Sequence, residues 1–158
     1  MAQKAIVAYS FGGSPVHGPG PANRKLAIVV ALRLAIGKGA ILVVQDYLEA
    51  LLLTAEVRPD LVVRKHREEG KFLGTEEVTS QYAEFLRRLG VSEVLLIAHP
   101  FLHWRKCKKL LEAEGFSVKV VTTGKVPFDP FSEGWWARSR RNLFLYTLLQ
   151  LATGRQGR

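Results

Sequence analysis

The stretch from Glu93 to Lys106 constrains the fold of this chain more than any other. Its first part, Val94 to Ala98, is an unbroken apolar run of strand length, which is typical of a parallel strand covered on both faces. Pro100 lacks a backbone donor and disfavours helical dihedrals at His99, so we predict a turn there. A helix then begins near His103. Two histidines therefore follow the carboxyl end of a strand, which is the edge where open α/β sheets bind ligands.

The rest of the chain alternates short apolar runs with helical patterns. Helical crossovers between neighbouring strands predict a parallel sheet with both faces covered. We therefore predict an α/β fold, a Rossmann-like three-layer sandwich with a five-stranded, mainly parallel sheet in the order 3-2-1-4-5, and we expect residues 1–158 to form a single domain. The other predicted strands are residues 5–9, 40–45, 61–63 and 117–121, and the other helices are 23–36, 46–56, 75–89 and 135–153.

The net charge and the cysteine content limit which kinds of ligand and which cellular location we expect for the protein. The net charge is +9, of which +7 falls within residues 103–158, and such an excess favours anionic ligands or acidic partners. Nothing in the chain resembles a helix-turn-helix or an RNA-recognition motif, so nucleic-acid binding is not expected. A single cysteine excludes an internal disulfide and suits a reducing compartment. Each long apolar run contains charged residues, so we expect no membrane span and a cytoplasmic location.

A glycine pair follows the first predicted strand. Gly12 and Gly13 lie in a Gly/Pro-rich loop that leads to the first helix, where Asn23 is a suitable N-cap and Arg24 follows it. Glycines allow backbone N–H groups to approach an anion, so the loop is a candidate phosphate site. The alternative is a loop that simply needs positive φ angles. The sequence matches neither of the common nucleotide-binding glycine motifs.

The histidine turn offers candidates for acid–base chemistry. His99 and His103 are four residues apart, but Pro100 keeps His99 off the helix, so they do not share a helical face and we expect no metal site. His103 is instead the candidate for proton transfer or hydrogen bonding to a ligand. His99 either binds the ligand or bonds loop carbonyls. Arg105 and Lys106 supply positive charge beside them.

Further candidates have competing structural explanations. Cys107 lies one turn after His103, but its stripe with Trp104 indicates core packing rather than a Cys–His dyad. Glu49, near the end of the second strand, is either a surface residue or a cleft residue. Thr75 is the predicted cap of the third helix, and the macrodipole explains an acidic first turn that includes Glu77. The aromatic group near the C-terminus indicates packing, with base stacking as the alternative; it comprises Phe128, Phe131, Trp135 and Trp136.

In order and spacing, these positions resemble the YdcF/SanA/ElyC-like family, a bacterial group of uncharacterised function. The segment from Pro100 to Lys106 is similar to that family's strand-P-[FY]-H-x-x-R element, with one extra residue before the histidine. The Thr75-Glu76-Glu77-Val78 segment is similar to a T-x-E-N helix start. Other matching positions are Gly12, Gly13, Arg24, Glu49-Ala50 and Trp135-Trp136.

The resemblance implies a Rossmann-like fold, links to envelope or lipid-carrier metabolism, and binding of an adenosyl cofactor such as S-adenosylmethionine in one branch. The sequence departs from the pattern at Val78, where the family has Asn, at Gln45-Asp46, where Ser-Gly-Gly is common, and at Lys106, which replaces Arg. Each departure alters a polar cleft group.

These observations lead to one main hypothesis and one alternative. The main hypothesis is an anionic small-molecule ligand, phosphorylated or nucleotide-like, bound where the first and fourth strands end. His103 and Glu49 are its candidate catalytic groups, for hydrolysis or transfer of a phosphoester or phosphoanhydride. The alternative is a non-catalytic module that binds S-adenosylmethionine or a nucleotide. Whether the protein is an enzyme, and in what oligomeric state it exists, stays open. The candidate ligand-binding residues are Gly12, Gly13, Asn23, Arg24, Thr75, Glu77, His99, Arg105 and Lys106.

Overall fold

The computed structural model describes residues 3–37 and 39–154, which form a parallel five-stranded sheet flanked by helices. The sheet order is β3-β2-β1-β4-β5, and every neighbouring pair is parallel. This confirms the predicted α/β class and strand order. In chain order the elements are β1 (Lys4–Ala8), α1 (Gly20–Ile36), β2 (Ile41–Gln45), α2 (Asp46–Thr54), β3 (Leu61–Val63), α3 (Thr75–Arg88), β4 (Glu93–Ile97), α4 (His103–Ala113), β5 (Ser117–Val120), a 3-10 turn (Trp135–Ala137) and α5 (Arg140–Thr153).

Both faces of the sheet are covered, because successive side chains of a strand point to opposite sides. On the central strand β1, Val7 packs with α3 and α4, whereas Ile6 and Ala8 pack with α1 and α2. In register, Val7 lies beside Val43 of β2 and Leu96 of β4. Helix α5 adds its buried Leu143 to the α1–α2 side. The result is a three-layer arrangement whose strands all end at one edge.

Helix α1 begins earlier than predicted. It starts at Gly20, three residues before Asn23, so the prediction that Asn23 caps the helix is wrong. Asn23 is fully buried within the first turn; its side chain accepts a hydrogen bond from the Phe11 N–H at 2.8 Å and donates one to the Pro19 carbonyl at 2.6 Å. The Asn23 amide thereby connects two segments of the loop, and these tertiary contacts outweigh the preference of asparagine for the N-cap position.

The cap of α3 and the start of the last helix differ from prediction. Helix α3 begins at Thr75, but the N-cap position belongs to Gly74, so Thr75 is not the cap. The predicted last helix is interrupted: residues 135–137 form a 3-10 turn, and α5 begins only at Arg140. The side chain of Ser139 accepts a hydrogen bond from the Asn142 N–H and caps α5. A strong local cap therefore sets the start of α5.

A strained turn connects β4 to α4. Leu102 has φ +58° and ψ −39°, and the His103 N–H donates to the Phe101 carbonyl at 2.6 Å. This is a γ-turn with a positive central φ, which is sterically costly for a leucine. The Trp104 N–H returns to the His99 carbonyl at 3.2 Å. These bonds fix the direction in which α4 leaves the sheet, and with it the position of His103.

Within residues 3–37 and 39–154, no helix has the length and apolar character needed to cross a membrane.

Candidate functional site

A cavity of about 430 Å³ lies at the edge where the strands end. Its floor comes from the loop after β1 and from the start of α2, and one wall comes from the starts of α3 and α4. Residues 132–134, Trp136 and one side of α5 also contribute to the lining. Gly12, Gly13 and His103 all line it, so the glycine loop and the histidine turn meet at one hollow, as the strand order predicted.

His103 lines the cavity at the first position of α4. Burial, with smaller contributions from His99 and Lys106, lowers its pKa from 6.5 to about 3, so the imidazole is neutral at neutral pH. Its Nδ1 is buried and forms no hydrogen bond with any described residue. The ring lies 5.4 Å from that of Phe11 and 6.2 Å from that of Tyr9, centroid to centroid. A neutral imidazole held among aromatic rings can donate and accept hydrogen bonds.

His99 is not part of the cavity lining but lies behind it. Its ring stacks on Phe11 with centroids 4.0 Å apart, and its Nδ1 accepts a hydrogen bond from the Phe101 N–H at 3.3 Å. Burial lowers its pKa to about 4, although nearby backbone carbonyls of Val126 and Pro127 partly offset this. These contacts favour the alternative in which His99 interacts with the surrounding loops and does not bind a ligand.

The chain's own carboxylate occupies the glycine loop. Asp129, which is 2% exposed, accepts a hydrogen bond from the Gly13 N–H at 2.8 Å and a second from the Phe131 N–H at 3.1 Å. A Cβ on Gly20 would lie 2.2 Å from the Asp129 carboxylate, and one on Gly12 would lie 3.0 Å from the Asp129 Cβ. We call Gly12, Gly13 and Gly20 the glycine cradle. It does bind an anion, but the Gly13 N–H that was predicted to bind a ligand is already used by Asp129.

The two predicted residues of the first helix do not reach the cavity. Asn23 is buried in the loop contacts described above and does not line the cavity. Arg24 is exposed on α1 and also lies outside the lining. Both predictions assumed a helix that begins at residue 23, whereas the earlier start at Gly20 turns Arg24 away from the glycine cradle.

Lys106 lines the cavity one turn after His103. Its ammonium group pairs with Glu76 at 2.8 Å, which joins α4 to the start of α3. Arg105 faces away: it is exposed, its guanidinium lies over the Trp104 ring at 5.5 Å, and it does not line the cavity. Neighbouring positions on a helix point about 100° apart, so only one of these two cations can face the cavity.

Glu49 contributes to the site indirectly. Its carboxylate forms a two-pronged contact with Arg64, with the Arg64 Nε–H donating to Oε2 at 2.9 Å. Arg64 lines the cavity and Glu49 does not. Glu49 therefore orients a cation at the cavity, and the prediction that it faces the ligand as a catalytic group has no support in this geometry.

Of the predicted residues at the start of α3, some line the cavity and others do not. Thr75 and Gly74 line the cavity. Glu77 lies outside the lining, in a surface network where it accepts hydrogen bonds from Arg67 at 2.9 Å and Gln81 at 2.8 Å. Burial alone would raise the pKa of Glu77, but these hydrogen bonds outweigh it and hold the pKa low. Glu77 stabilises the loop before α3 and does not contact the cavity.

Asp46 is the main lining residue that the sequence predictions missed. It is the first residue of α2, directly after β2, and its Oδ1 accepts the Tyr47 N–H at 2.7 Å. Burial raises the pKa of Asp46, partly offset by that hydrogen bond and by Arg64. Its position was a signal, because an acidic residue at the end of the second strand of a Rossmann-like sheet often binds ribose hydroxyls.

Aromatic side chains surround the cavity, and most come from outside the predicted site. Tyr47 packs against Gly13 so closely that a Cβ there would lie 2.9 Å from its ring. Trp136 and Tyr146 stack with centroids 5.6 Å apart, and Phe72 lines the cavity from the loop before α3. Cys107 is buried in the core and burial raises its pKa, so the packing interpretation of that residue is confirmed. Within the described ranges, no three His, Cys, Asp or Glu side chains are arranged to hold a metal ion.

No family model matches the chain, and no curated protein matches it. One similar solved structure is a UDP-N-acetylglucosamine 2-epimerase, with 18% identity over 77% of this chain and 33% of the epimerase chain, and a TM-score of 0.44. The chain thus spans about a third of that protein's length. The sheet order defines this chain as a Rossmann-like α/β domain without reference to the epimerase.

Proposed function

We propose that the cavity binds an anionic, nucleotide-like small molecule. The observation that carries the proposal is the composition of the lining: two cations, Lys106 and Arg64, share a cavity with a neutral histidine and several aromatic rings. The lining also contains two carboxylates, Asp46 and Glu133, so the phosphate is expected at the two cations and not at the lining as a whole. Ligand pockets are typically apolar with a few placed polar groups, and a cavity of this volume is within their usual size range. A phosphorylated compound with a flat ring satisfies both parts of the lining.

The phosphate is expected between Lys106 of α4 and Arg64, which follows β3 and pairs with Glu49 of α2. Lys106 and Arg64 each retain donors beyond their ion pairs with Glu76 and Glu49. The first residue of α3, Thr75, lines the cavity and adds its backbone N–H, whereas the Gly74 N–H already donates to the Phe72 carbonyl at 3.0 Å. The glycine cradle is not part of this proposal, since Asp129 already accepts its Gly13 N–H.

The nucleoside part is expected at the α2–α5 side. Tyr47, Trp136 and Tyr146 offer ring faces for a base. Asp46 offers a carboxylate at the position where related sheets bind ribose hydroxyls. Asp46 is also the observation that favours the second candidate, a non-catalytic module for S-adenosylmethionine, because that compound carries the same adenosine.

His103 is the group for acid–base chemistry at the bound phosphate. With a pKa of about 3 it is a weak base in the empty cavity. A phosphate bound nearby favours the protonated imidazole and so raises that pKa towards the range useful in catalysis. Phosphoester or phosphoanhydride hydrolysis or transfer is the reaction class that these groups could perform.

The test is isothermal titration calorimetry with AMP, ATP, S-adenosylmethionine and inorganic phosphate. We expect at least one phosphorylated nucleotide to bind, and Lys106→Gln to weaken its binding at least about tenfold, since hydrogen bonds to charged groups contribute about 1.5–3 kcal/mol. Lys109→Gln, an exposed position on the same helix outside the lining, is the matched control. Equal losses in both variants, or no binding by any compound, would reject the proposal. Binding of S-adenosylmethionine alone, without turnover, would select the second candidate.

We also propose that the chain is a diverged member of the YdcF/SanA/ElyC-like family and that it acts in the bacterial cytoplasm. The matching positions from Pro100 to Lys106 support the first statement, and the single buried cysteine suits the second. Fractionation of cells that express the protein tests the location: recovery in an extracytoplasmic fraction would contradict it.

A further inference from the structure

The outward face of α5 is strongly apolar. Phe144 is 52% exposed, Leu149 53% and Leu151 79%, and two further leucines of the same helix, Leu145 and Leu148, are more than two-fifths exposed. At 100° per residue these five side chains fall within an arc of roughly 160° on one side of the helix. Scattered exposed leucines are ordinary, but a continuous apolar helix face indicates an interaction surface. We call these five residues the α5 face.

The opposite side of α5 is the more polar one. Tyr146, Thr147 and Gln150 point to the cavity and line it. Among the other elements, α5 packs chiefly on the 3-10 turn at residues 135–137. A helix on a protein surface normally presents its polar side to water and its apolar side to the core. Here the order is reversed, so the α5 face is exposed at a free-energy cost that a partner surface would remove.

The charges of α5 have one sign. The helix contains no Asp or Glu, and its first two residues are Arg140 and Arg141. Cations at a helix N-terminus interact unfavourably with the macrodipole, so helix stability does not explain them. Arg140 lies 4.5 Å over the Phe101 ring, and Arg141 is exposed. The α5 face is therefore an apolar surface with positive charge at one end.

We infer that the α5 face docks on an anionic lipid surface, with the helix lying in the plane of the interface. Interfacial helices combine a lipid-facing apolar side with a polar side and basic residues, and here the protein's own cavity receives the polar side. A second copy of the chain fits less well. A two-fold contact places the same patch against itself, and no carboxylate of α5 would then meet the arginines. None of the five residues lines the cavity, so this inference does not depend on the proposed function.

The experiment is flotation of the full chain with phosphatidylcholine vesicles that contain or lack phosphatidylglycerol. We expect binding to the anionic vesicles and little to the neutral ones. The double variant Leu148→Gln/Leu149→Gln should weaken binding at least about tenfold, because it removes two apolar side chains from the contact. Leu89→Gln, at an exposed leucine that follows α3 on the other side of the sheet, should have no effect.

A second variant pair tests the charge. Arg141→Gln should weaken binding about fivefold, the effect expected for one arginine near an anionic surface, whereas Lys109→Gln on α4 should not. Circular dichroism checks that each variant folds, as expected for exposed positions. No binding by the unaltered chain, or binding that Leu148→Gln/Leu149→Gln leaves unchanged, overturns the inference. A dimer in analytical ultracentrifugation that the same double variant abolishes would assign the face to a second copy instead.

Discussion

The Asp129 carboxylate and its glycine cradle show how a single residue decides what a loop can bind. An anion site in a glycine-rich loop normally receives a ligand from solution, because the backbone N–H groups there are unpaired. In this chain Asp129 reaches that site from 116 residues further along and forms the 2.8 Å bond to the Gly13 N–H. Each glycine then remains necessary because the carboxylate, or a ring, is packed directly against it.

Alanine substitutions at Gly20 and Gly18 separate close packing from backbone strain. Both residues have a positive φ near 75°, but a Cβ on Gly20 would lie 2.2 Å from Asp129, whereas one on Gly18 has no neighbour within 4 Å. We expect Gly18→Ala to cost about 1 kcal/mol of unfolding free energy and Gly20→Ala to cost about 1–3 kcal/mol more. Urea denaturation measures both. Equal costs would contradict the close packing of Asp129 against Gly20.

The lowered pKa values of His99 and His103 predict how stability depends on pH. Burial lowers the pKa of His103 to about 3 and that of His99 to about 4, below the value of about 6.5 expected in the unfolded chain. Between these values the unfolded chain binds more protons, so acidification destabilises the fold. Each histidine contributes up to about 1.4 kcal/mol per pH unit in that window. The raised pKa of Asp46 acts in the opposite direction in the acidic range.

Urea denaturation between neutral pH and about pH 5 tests this, a range chosen to lie above the usual carboxylate pKa values. The unaltered protein should lose stability steadily, and His103→Gln should reduce the slope by about one proton's contribution. A slope that His103→Gln leaves unchanged would show that His103 titrates equally in the folded and unfolded states.

At the scale of elements, the β4–α4 connection carries strain where the candidate site needs precision. Leu102 is held at φ +58° between the strand end and His103. Strained backbone persists where surrounding contacts fix it, and it is common at functional sites. The hydrogen bonds from His103 to Phe101 and from Trp104 to His99 provide those contacts.

This strain predicts that a glycine variant at Leu102 is more stable than the alanine variant, the reverse of the order expected within a helix. Leu102→Gly and Leu102→Ala both remove the side chain, but only glycine relieves the positive φ, so Leu102→Gly should be more stable by about 1 kcal/mol. At Lys109, within α4, the alanine variant should instead be the more stable by about 1 kcal/mol. Thermal unfolding of the four variants gives the comparison. If alanine is favoured at both positions, the γ-turn at Leu102 is not strained.

The element order was predictable because each signal is local. The apolar run of β4 and the proline at residue 100 act within a few positions of themselves, and alternation of strands and helices then implies the parallel order. The helix starts were less predictable. Asn23 and Thr75 have good capping propensity, yet α1 begins at Gly20 and the N-cap of α3 is Gly74. Contacts between distant segments, such as Asn23 with the Phe11 N–H, decided those boundaries.

At the scale of the whole molecule, the predicted strand order correctly implied that the loops after β1 and β4 meet at one cavity, but the sequence did not indicate which other segments line that cavity. Gly12, Gly13, Thr75, His103 and Lys106 line the cavity, since the strand order alone brings their loops together. Asp129 and α5 reach the same place from after β5, where no local pattern indicates the destination of the chain. Arg64 faces the cavity through its contact with Glu49, a side-chain pairing that sequence spacing does not reveal.

The central claim is that an anionic, nucleotide-like ligand binds beside His103, and nuclear magnetic resonance of the His103 imidazole tests it most directly. The measurement follows the pKa of His103 alone and with a saturating nucleotide that binds by calorimetry. We predict a pKa of about 3 in the free protein and a clear rise in the complex, because a phosphate near the ring favours its protonated form. A nucleotide that binds but leaves the His103 pKa unchanged would contradict the account.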